Sequence, residues 1–186
     1  MKTTIPETKQ NLIDAYWYLY TANIPSKITV KMITDRAGYN RGTFYAYFLD
    51  IEDLHNQIED SLLPSDEKFK KLRDATFSKN GQEIVRIFMN EDRVLGEKVN
   101  FLLGPNGSLS FQTKLKDKLK ELMLKYAPLE LKESKKVIDY KINMICSIFY
   151  ETIHYWYDEG KNNFNEEEFI KLMMNIIFYG VSDGNF

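Results

Sequence analysis

The side chains best suited to molecular recognition are concentrated in residues 28–54. Within eight positions the sequence places Asn40, Arg41, Thr43 and Tyr47. Amide, guanidinium, hydroxyl and phenol groups can hydrogen-bond phosphate oxygens or the edges of bases, and an α-helix fits the major groove of DNA. These residue types therefore indicate binding to a nucleic acid rather than catalysis.

Two short helices joined by a tight turn are predicted to position these side chains. Thr29 is a candidate N-cap for a helix over about 29–36, and Gly38 ends that helix. Asn40 is a candidate cap for a second helix over about 40–47. The residues expected to bury the common side of the pair are Val30, Ile33, Ala37, Tyr39, Phe44 and Phe48. This pattern predicts a helix-turn-helix.

Helical periodicity also dominates the rest of the chain, so the fold class is predicted to be all-α. Around the helix-turn-helix we expect helices over 7–22 and 51–63, the second ended by Pro64. An N-terminal three-helix helix-turn-helix domain is assigned to 1–63, and an α-helical dimerisation and effector domain to 64–186. In the second domain, residues from Ser65 to Gly81 are interpreted as a loose connection. The helices expected after it span 82–103, 109–126, 133–160 and 166–180.

Composition and charge narrow the class of protein. The 186 residues carry a net charge of −2 and one cysteine, Cys146, so a disulfide scaffold is excluded. Residues 1–48 nevertheless carry about +3 and the remainder about −5, which is a weak indication of an anionic partner for the first segment. With no apolar stretch long enough for a membrane span and no apolar run behind the N-terminus, we expect a cytoplasmic protein without a membrane partner.

Residues that could catalyse a reaction or bind a metal are sparse. His55 and His154 are about a hundred residues apart and have no partner at metal-ligand spacing, so both are interpreted as structural. Cys146 lies on an apolar helix, where burial should raise its thiol pKa and keep it inert. No catalytic residues, metal site or cofactor are expected, which disfavours an enzyme.

The helix-turn-helix segment resembles the TetR-type transcriptional regulators over roughly residues 8–62. The residues in register with that family's motif are Thr29, Ile33, Ala37, Gly38, Gly42, Thr43, Tyr45, Tyr47, Phe48 and Leu54. The resemblance implies that 29–36 is a support helix and 40–47 a recognition helix. Thr29 and Tyr45 match phosphate-contacting positions of the family. Lys31, Arg41, Thr43 and Tyr47 match positions that reach bases or backbone.

Three residues depart from the family pattern. Thr34 stands where a small alanine is usual, and Tyr39 replaces an aliphatic residue. Ile51 occupies a position that commonly holds a phosphate-contacting lysine. This last departure predicts a weaker or different contact with the DNA backbone at the start of the fourth helix.

The second domain resembles, over Phe101–Gly107 and Ser110–Phe111, a subgroup of TetR-type proteins related to regulators of dihydroxyacetone kinase operons. Its aromatic residues could line a ligand cavity or fill a core, and both interpretations stay open. Tyr150, Tyr155 and Trp156 are the pocket candidates because they add polar edges to apolar bodies. We expect an enclosed, largely apolar cavity among the helices at 82–103, 109–126 and 133–160.

The sequence as a whole predicts a sequence-specific regulator that binds double-stranded DNA. The family resemblance favours a repressor that acts as a homodimer on a palindromic operator, with possible control by a small molecule. The apolar residues of 137–157 and 169–181 are the expected dimer interface. The alternative is a helical small-molecule-binding or interaction module that does not bind an operator.

Overall fold

The computed structural model describes residues 6–22, 27–78, 83, 87, 93–105, 107–126 and 134–179. The regular elements in these ranges are all helical, which confirms the all-α fold class. The chain divides into two compact units, Met1–Ser61 and Leu62–Phe186.

The described residues of the first unit form four helices: α1 (Glu7–Ala22), α2 (Val30–Ala37), α3 (Arg41–Tyr45) and α4 (Ile51–Ser61). The bounds of α1 are those predicted, and α4 ends two residues before the predicted Leu63. The buried apolar side chains of the first unit are Leu12, Ala15, Tyr16, Tyr20, Ile28, Ile33, Phe44, Phe48, Leu54 and Ile58. Each of the four helices therefore contributes to one core.

A chain of polar side chains links α1 to α4 inside this unit. The Tyr16 hydroxyl lies 2.9 Å from His55 Nδ1, and His55 Nε2 lies 3.0 Å from Glu59 Oε1. The Glu59 carboxylate is fully buried, and desolvation by burial raises the pKa of Tyr16 well above its usual value. The contacts confirm the structural role predicted for His55, since the imidazole hydrogen-bonds a partner on each side.

The second unit contains α5 (Asp66–Phe77), α6 (Arg93–Leu103), α7 (Leu109–Tyr126), α8 (Lys135–Tyr155) and α9 (Glu166–Tyr179). The bounds of α7 are those predicted. The start of α9 is fixed by a reciprocal pair of hydrogen bonds, in which Asn165 Oδ1 accepts from the Glu168 amide and Glu168 Oε2 accepts from the Asn165 amide. The core residues of these helices include Leu102, Phe111, Leu115, Leu122, Ile142, Cys146, Phe169, Ile170 and Met173.

Helix α5 corrects the prediction that a loose connection follows Ser65. The Ser65 hydroxyl accepts a hydrogen bond from the Lys68 amide at 3.2 Å, and Asp66 and Glu67 lie in the first turn, where negative charge is favoured. Ala75 packs with Ile170 and Met173 of α9, and Leu72 contacts this cluster. The segment contains many charged residues, so its few apolar residues give no clear helical pattern in the sequence.

The helix predicted over 133–160 is also not continuous. Helix α8 ends at Tyr155 and is followed by a π-helical turn, Trp156–Gly160, and then by one α-helical turn, Lys161–Asn163. Gly160 is buried, and a Cβ atom at this position would lie 3.0 Å from Cε3 of Trp156. The glycine thus lets the backbone approach the indole ring closely.

In the described part of the chain, no helix has the length and apolar character needed to cross a membrane.

An acidic side chain at the start of α5 joins this helix to the end of α7. The Asp66 carboxylate accepts hydrogen bonds from the Lys125 ammonium at 2.6 Å and from the Tyr126 hydroxyl. The Lys118 ammonium lies 3.6 Å away. The Lys125 hydrogen bond, followed by that of Tyr126, holds the pKa of Asp66 well below its usual range.

We therefore predict an acid-dependent loss of stability that is traceable to Asp66. A carboxyl group whose pKa falls on folding stabilises the protein above its unfolded pKa of about 3.9, and the contribution is lost as the pH falls further. In Asp66→Asn, the free energy of unfolding should fall less steeply below about pH 4. Urea unfolding at several pH values measures this. An unchanged slope in Asp66→Asn contradicts the assignment.

Candidate nucleic-acid interface

The turn between α2 and α3 has a geometry that only a few residue types adopt easily. Gly38 follows the last residue of α2 with φ +76° and ψ +28°, which is the left-handed region, and the amide of Tyr39 donates to the Thr34 carbonyl at 3.0 Å. A side chain at position 38 would be strained by this φ although nothing lies within 4 Å of its Cβ position. The glycine thus allows α3 to follow α2 after three residues.

Thr29 caps the N-terminus of α2, as predicted. The backbone of Thr29 is extended, and its side-chain Oγ1 accepts a hydrogen bond from the Met32 amide at 3.2 Å. The residue is exposed, and the cap uses its hydroxyl only as an acceptor, so the hydroxyl can still donate to solvent or to another oxygen. Thr29 can therefore hold the helix end and donate to a phosphate at the same time.

Asn40 caps α3 in the same manner. Its Oδ1 accepts from the Thr43 amide at 2.9 Å and from the Thr43 hydroxyl at 3.2 Å. A Cβ atom at position 42 would lie 3.1 Å from this oxygen, which explains why a glycine stands between the two residues. Since the cap uses the oxygen, the amide nitrogen of Asn40 remains the group that can donate outward.

The two phenylalanines near α3 set which side chains face outward. Phe44 is 0% exposed and Phe48 is 2% exposed, and their ring centroids lie 5.4 Å apart. Tyr45, next to Phe44, is 57% exposed, while Tyr47 is half-buried with its ring 6.4 Å from that of Phe48. Burial of the phenyl rings therefore leaves Tyr45 on the surface and Tyr47 at its edge.

The two basic candidates differ in their surroundings. Arg41, the first residue of α3, is exposed, and its guanidinium makes no hydrogen bond or ion pair within the described residues. Lys31 is also exposed, but its ammonium lies 2.6 Å from Asp35 Oδ2. An exposed ion pair of this kind contributes only about 0–1 kcal/mol, so it can be exchanged for a phosphate contact. Arg41 is thus the more available cation for reading bases.

The structure accommodates two of the departures from the family motif. Thr34 is buried, and its hydroxyl donates to the Val30 carbonyl at 3.0 Å, so the extra polar atom is satisfied inside α2. The Tyr39 hydroxyl accepts from the Asn11 side-chain amide at 3.1 Å, which attaches the turn to α1. Both residues therefore support the helix-turn-helix.

The third departure, Ile51, lies half-buried at the start of α4. Carboxylates bind the amides around it: Asp50 Oδ1 accepts from the Asp53 amide at 2.7 Å, and Asp53 Oδ2 accepts from the Leu49 amide at 2.9 Å. The pKa of Asp53 is lowered chiefly by the Leu49 hydrogen bond, then by the Gln57 side chain. This turn is organised by its own acidic residues.

A cleft in the second unit lies between the ends of α6, α7 and α8. It has a volume of about 520 Å³ and is lined by Leu103, Gly104, Pro105, Gly107, Leu109, Gln112, Ser147, Tyr150, Glu151 and His154. This cleft differs from the predicted enclosed, largely apolar cavity, because it opens to solvent and its lining is mixed. Most of 82–92, at the start of the predicted helix 82–103, lies outside the described residues. The position of the cleft between these three helices agrees with the prediction.

The structure separates the three pocket candidates. Tyr150 lines the cleft, and its hydroxyl donates to the Gln112 carbonyl at 3.0 Å; burial, followed by Cys146 and Asp117, raises its pKa to about 12. Tyr155 and Trp156 stack on Phe169, with ring centroids 5.9 and 5.0 Å apart, and do not line this cleft. These two rings join α8 to α9.

Sequence reasoning missed the polar residues of α8 that line the cleft beside Tyr150. Ser147, Glu151 and His154 share a helix face with it, at spacings of three and four residues. This spacing, next to the break at Gly104–Gly107, is the signal that could have identified them. His154 also lies 3.2 Å from Asp158. Among the described residues, no group of three or more His, Cys, Asp or Glu side chains could hold a metal ion.

These elements define a class of protein: a four-helix N-terminal unit with a helix-turn-helix, followed by an all-α unit. The solved structures to which the chain is similar include two repressors of transcription. The chain is similar to the dihydroxyacetone kinase operon activator DhaS, with a TM-score of 0.56 and 20% identity over 92% of this chain and 94% of that one. The likeness shows that the chain has the TetR-type fold.

Two further structures share this fold. SmeT, the repressor of the Stenotrophomonas maltophilia multidrug efflux pump SmeDEF, has a TM-score of 0.55 and 16% identity over 100% of this chain and 94% of that one. The TetR-family repressor FadR of Thermus thermophilus, solved with lauroyl-CoA, has a TM-score of 0.50 and 14% identity over 94% and 95% of the two chains. Family models gave no match to the sequence, and neither did the curated proteins.

The capping role of Thr29 and the phosphate contact predicted for it can be separated by mutation. Thr29→Ala removes the cap and should lower the free energy of unfolding by about 1 kcal/mol. Thr29→Asp keeps a good cap and should leave stability near that of the wild type, but its negative charge should weaken binding to any DNA duplex. Chemical unfolding and fluorescence anisotropy measure the two effects. Thr29→Asp with wild-type DNA affinity would contradict a phosphate contact at this position.

Proposed function

We propose that the chain is a sequence-specific, DNA-binding transcriptional regulator of the TetR type. The observation that carries this proposal is the arrangement of α3, in which Phe44 is fully buried while Arg41 and Tyr45 are exposed. A helix held in this way presents its first turn to the major groove of DNA, where bases are distinguished by their hydrogen-bonding edges. The activity is binding, and it needs no catalytic residue.

The proposed contacts divide into two kinds. Thr29 and Tyr45 bind phosphate oxygens, which fixes the position of the protein on the duplex without reading its sequence. Arg41 and Thr43 lie in the first turn of α3 and read base edges, and Asn40 adds its outward amide. Lys31 and Tyr47 border this surface and contact bases or backbone. The first 48 residues carry the positive charge that DNA requires.

Arg41 gives the sharpest test of base readout. Arginine pairs with the O6 and N7 atoms of guanine through two hydrogen bonds, and such a pair contributes about 1–3 kcal/mol of discrimination. Arg41→Ala should therefore weaken operator binding by about that amount per half-site and relax the preference at one base pair. Fluorescence anisotropy with the upstream region of the protein's own gene and its single-base variants measures both quantities.

Arg36→Ala is the matched control, because this guanidinium lies 3.3 Å from the centre of the Tyr18 ring and is already engaged within the first unit. It should leave the base preference unchanged. If Arg41→Ala alters neither affinity nor preference, the assignment of α3 as a recognition helix is contradicted. If the wild-type chain binds no duplex, the alternative of an interaction module without operator binding is favoured.

We further propose that the regulator is a homodimer on a palindromic operator and acts as a repressor by occupying it. One short recognition helix reads few base pairs, so two are needed for useful specificity. Val137, Tyr140 and Met144 are exposed and recur at helical spacing along α8, and Leu172 of α9 is also exposed. These side chains supply an apolar face for a second copy.

The dimer is tested by light scattering. The chain has a mass of 22.0 kDa, so the full-length protein at micromolar concentration should give about twice that mass. Tyr140→Glu, which puts a charge on the exposed apolar face of α8, should shift the mass toward one chain. The control Lys116→Glu changes the charge of an exposed residue on α7 and should not. A wild-type mass near 22.0 kDa excludes the dimer.

The cleft lined by Tyr150 is the proposed site of small-molecule control. A ligand changes DNA affinity only if it binds one arrangement of the DNA-binding units better than another. The mixed lining, with Gln112, Ser147, Glu151 and His154 beside apolar residues, fits a ligand that carries polar groups. FadR, which was solved with lauroyl-CoA, is a precedent for ligand binding in this fold.

A further inference from the structure

A lysine of α1 lies beside the end of the recognition helix. The Lys9 ammonium is 5.5 Å from the centre of the Phe48 ring, and Phe48 directly follows Tyr47 in the turn that leaves α3. The aromatic face attracts the cation, and the lysine's apolar stem can pack beside it. The position of this charge is therefore set by contacts within the first unit.

The described residues do not use the hydrogen-bond donors of the Lys9 ammonium. The Lys9 ammonium makes no hydrogen bond, and no ion pair within 4.0 Å, with any part of the chain that the structure describes. Its charge acts on Asp53 only through space, as the last of the causes that lower the pKa of that carboxyl. An ammonium group has three N–H donors, so oxygens from outside the chain can be bound here.

The neighbouring turn lacks a cation of its own. Residues 48–54 contain Asp50, Glu52 and Asp53 but no basic side chain. The carboxylates of Asp50 and Asp53 also occupy the amides of Asp53 and Leu49, which removes these two donors from any external anion. A phosphate bound beside this turn would therefore need a cation from another helix.

We propose that Lys9 binds a backbone phosphodiester of DNA next to the end of α3, as a contact that is independent of base sequence. The inference rests on the proposed DNA-binding function and adds a residue of α1 to the interface. One phosphate contact changes the slope of log affinity against log salt concentration by about 0.9. This slope corresponds to a change in affinity of about fivefold between 1 M and 0.15 M salt. A dimer carries two such contacts.

The test compares Lys9→Met with Lys9→Arg in the full-length protein. Methionine keeps an apolar stem over Phe48 and removes the charge, whereas arginine keeps the charge. Fluorescence anisotropy at several salt concentrations, with the upstream duplex and with a random duplex, should give a shallower slope for Lys9→Met, by about 0.9 per protomer. Affinity for both duplexes should fall by the same factor, and Lys9→Arg should retain the wild-type slope.

Lys70→Met is the matched control, because the Lys70 ammonium also lies over an aromatic ring, that of Tyr126, at 5.0 Å, but in the second unit. It should not change the slope. Wild-type binding with an unchanged slope in Lys9→Met overturns this inference alone, as does a loss confined to the upstream duplex. A wild-type chain that binds neither duplex overturns the proposed function and this inference with it.

Discussion

The helix proposed to read DNA spans only Arg41–Tyr45, and a helix of five residues has no stability of its own in water. It is held by the burial of Phe44 within it and of Phe48 just after it, in a unit whose other buried side chains include residues of α1, α2 and α4. Complete burial of such a ring contributes about 1.5–3 kcal/mol. The two rings therefore determine both the existence of α3 and the face that it presents to solvent.

The helix caps in the first unit use only part of the hydrogen-bonding capacity of each side chain. Thr29 and Asn40 each direct an oxygen toward a helix end and keep a donor for the outside. Gly38 allows the left-handed turn, and Gly42 leaves room for the Asn40 oxygen. Because the folding contacts use one part of each polar side chain, recognition can use the other part without weakening the helix.

The helix-turn-helix could be predicted from the sequence because its determinants are local. The caps Thr29 and Asn40, the glycine at 38 and the spacing of Phe44 and Phe48 lie within twenty residues of one another. Helix α5 was missed because its apolar residues are diluted by charges and its packing partners, Ile170 and Met173, are nearly a hundred residues away. The cleft depends likewise on three helices that are distant in sequence. Tyr155 and Trp156 were chosen as pocket candidates because they add polar edges to apolar bodies, and no local sequence pattern encodes their stacking on Phe169.

Protection of guanine N7 atoms from dimethyl sulfate reports whether α3 enters the major groove, because this atom is exposed only there. The full-length protein, bound to the upstream region of its own gene, should protect guanines in two half-sites whose centres are about 10 base pairs, or a multiple of one helical turn, apart. Full occupancy of the duplex without protection of any guanine N7 in the bound region would contradict the account.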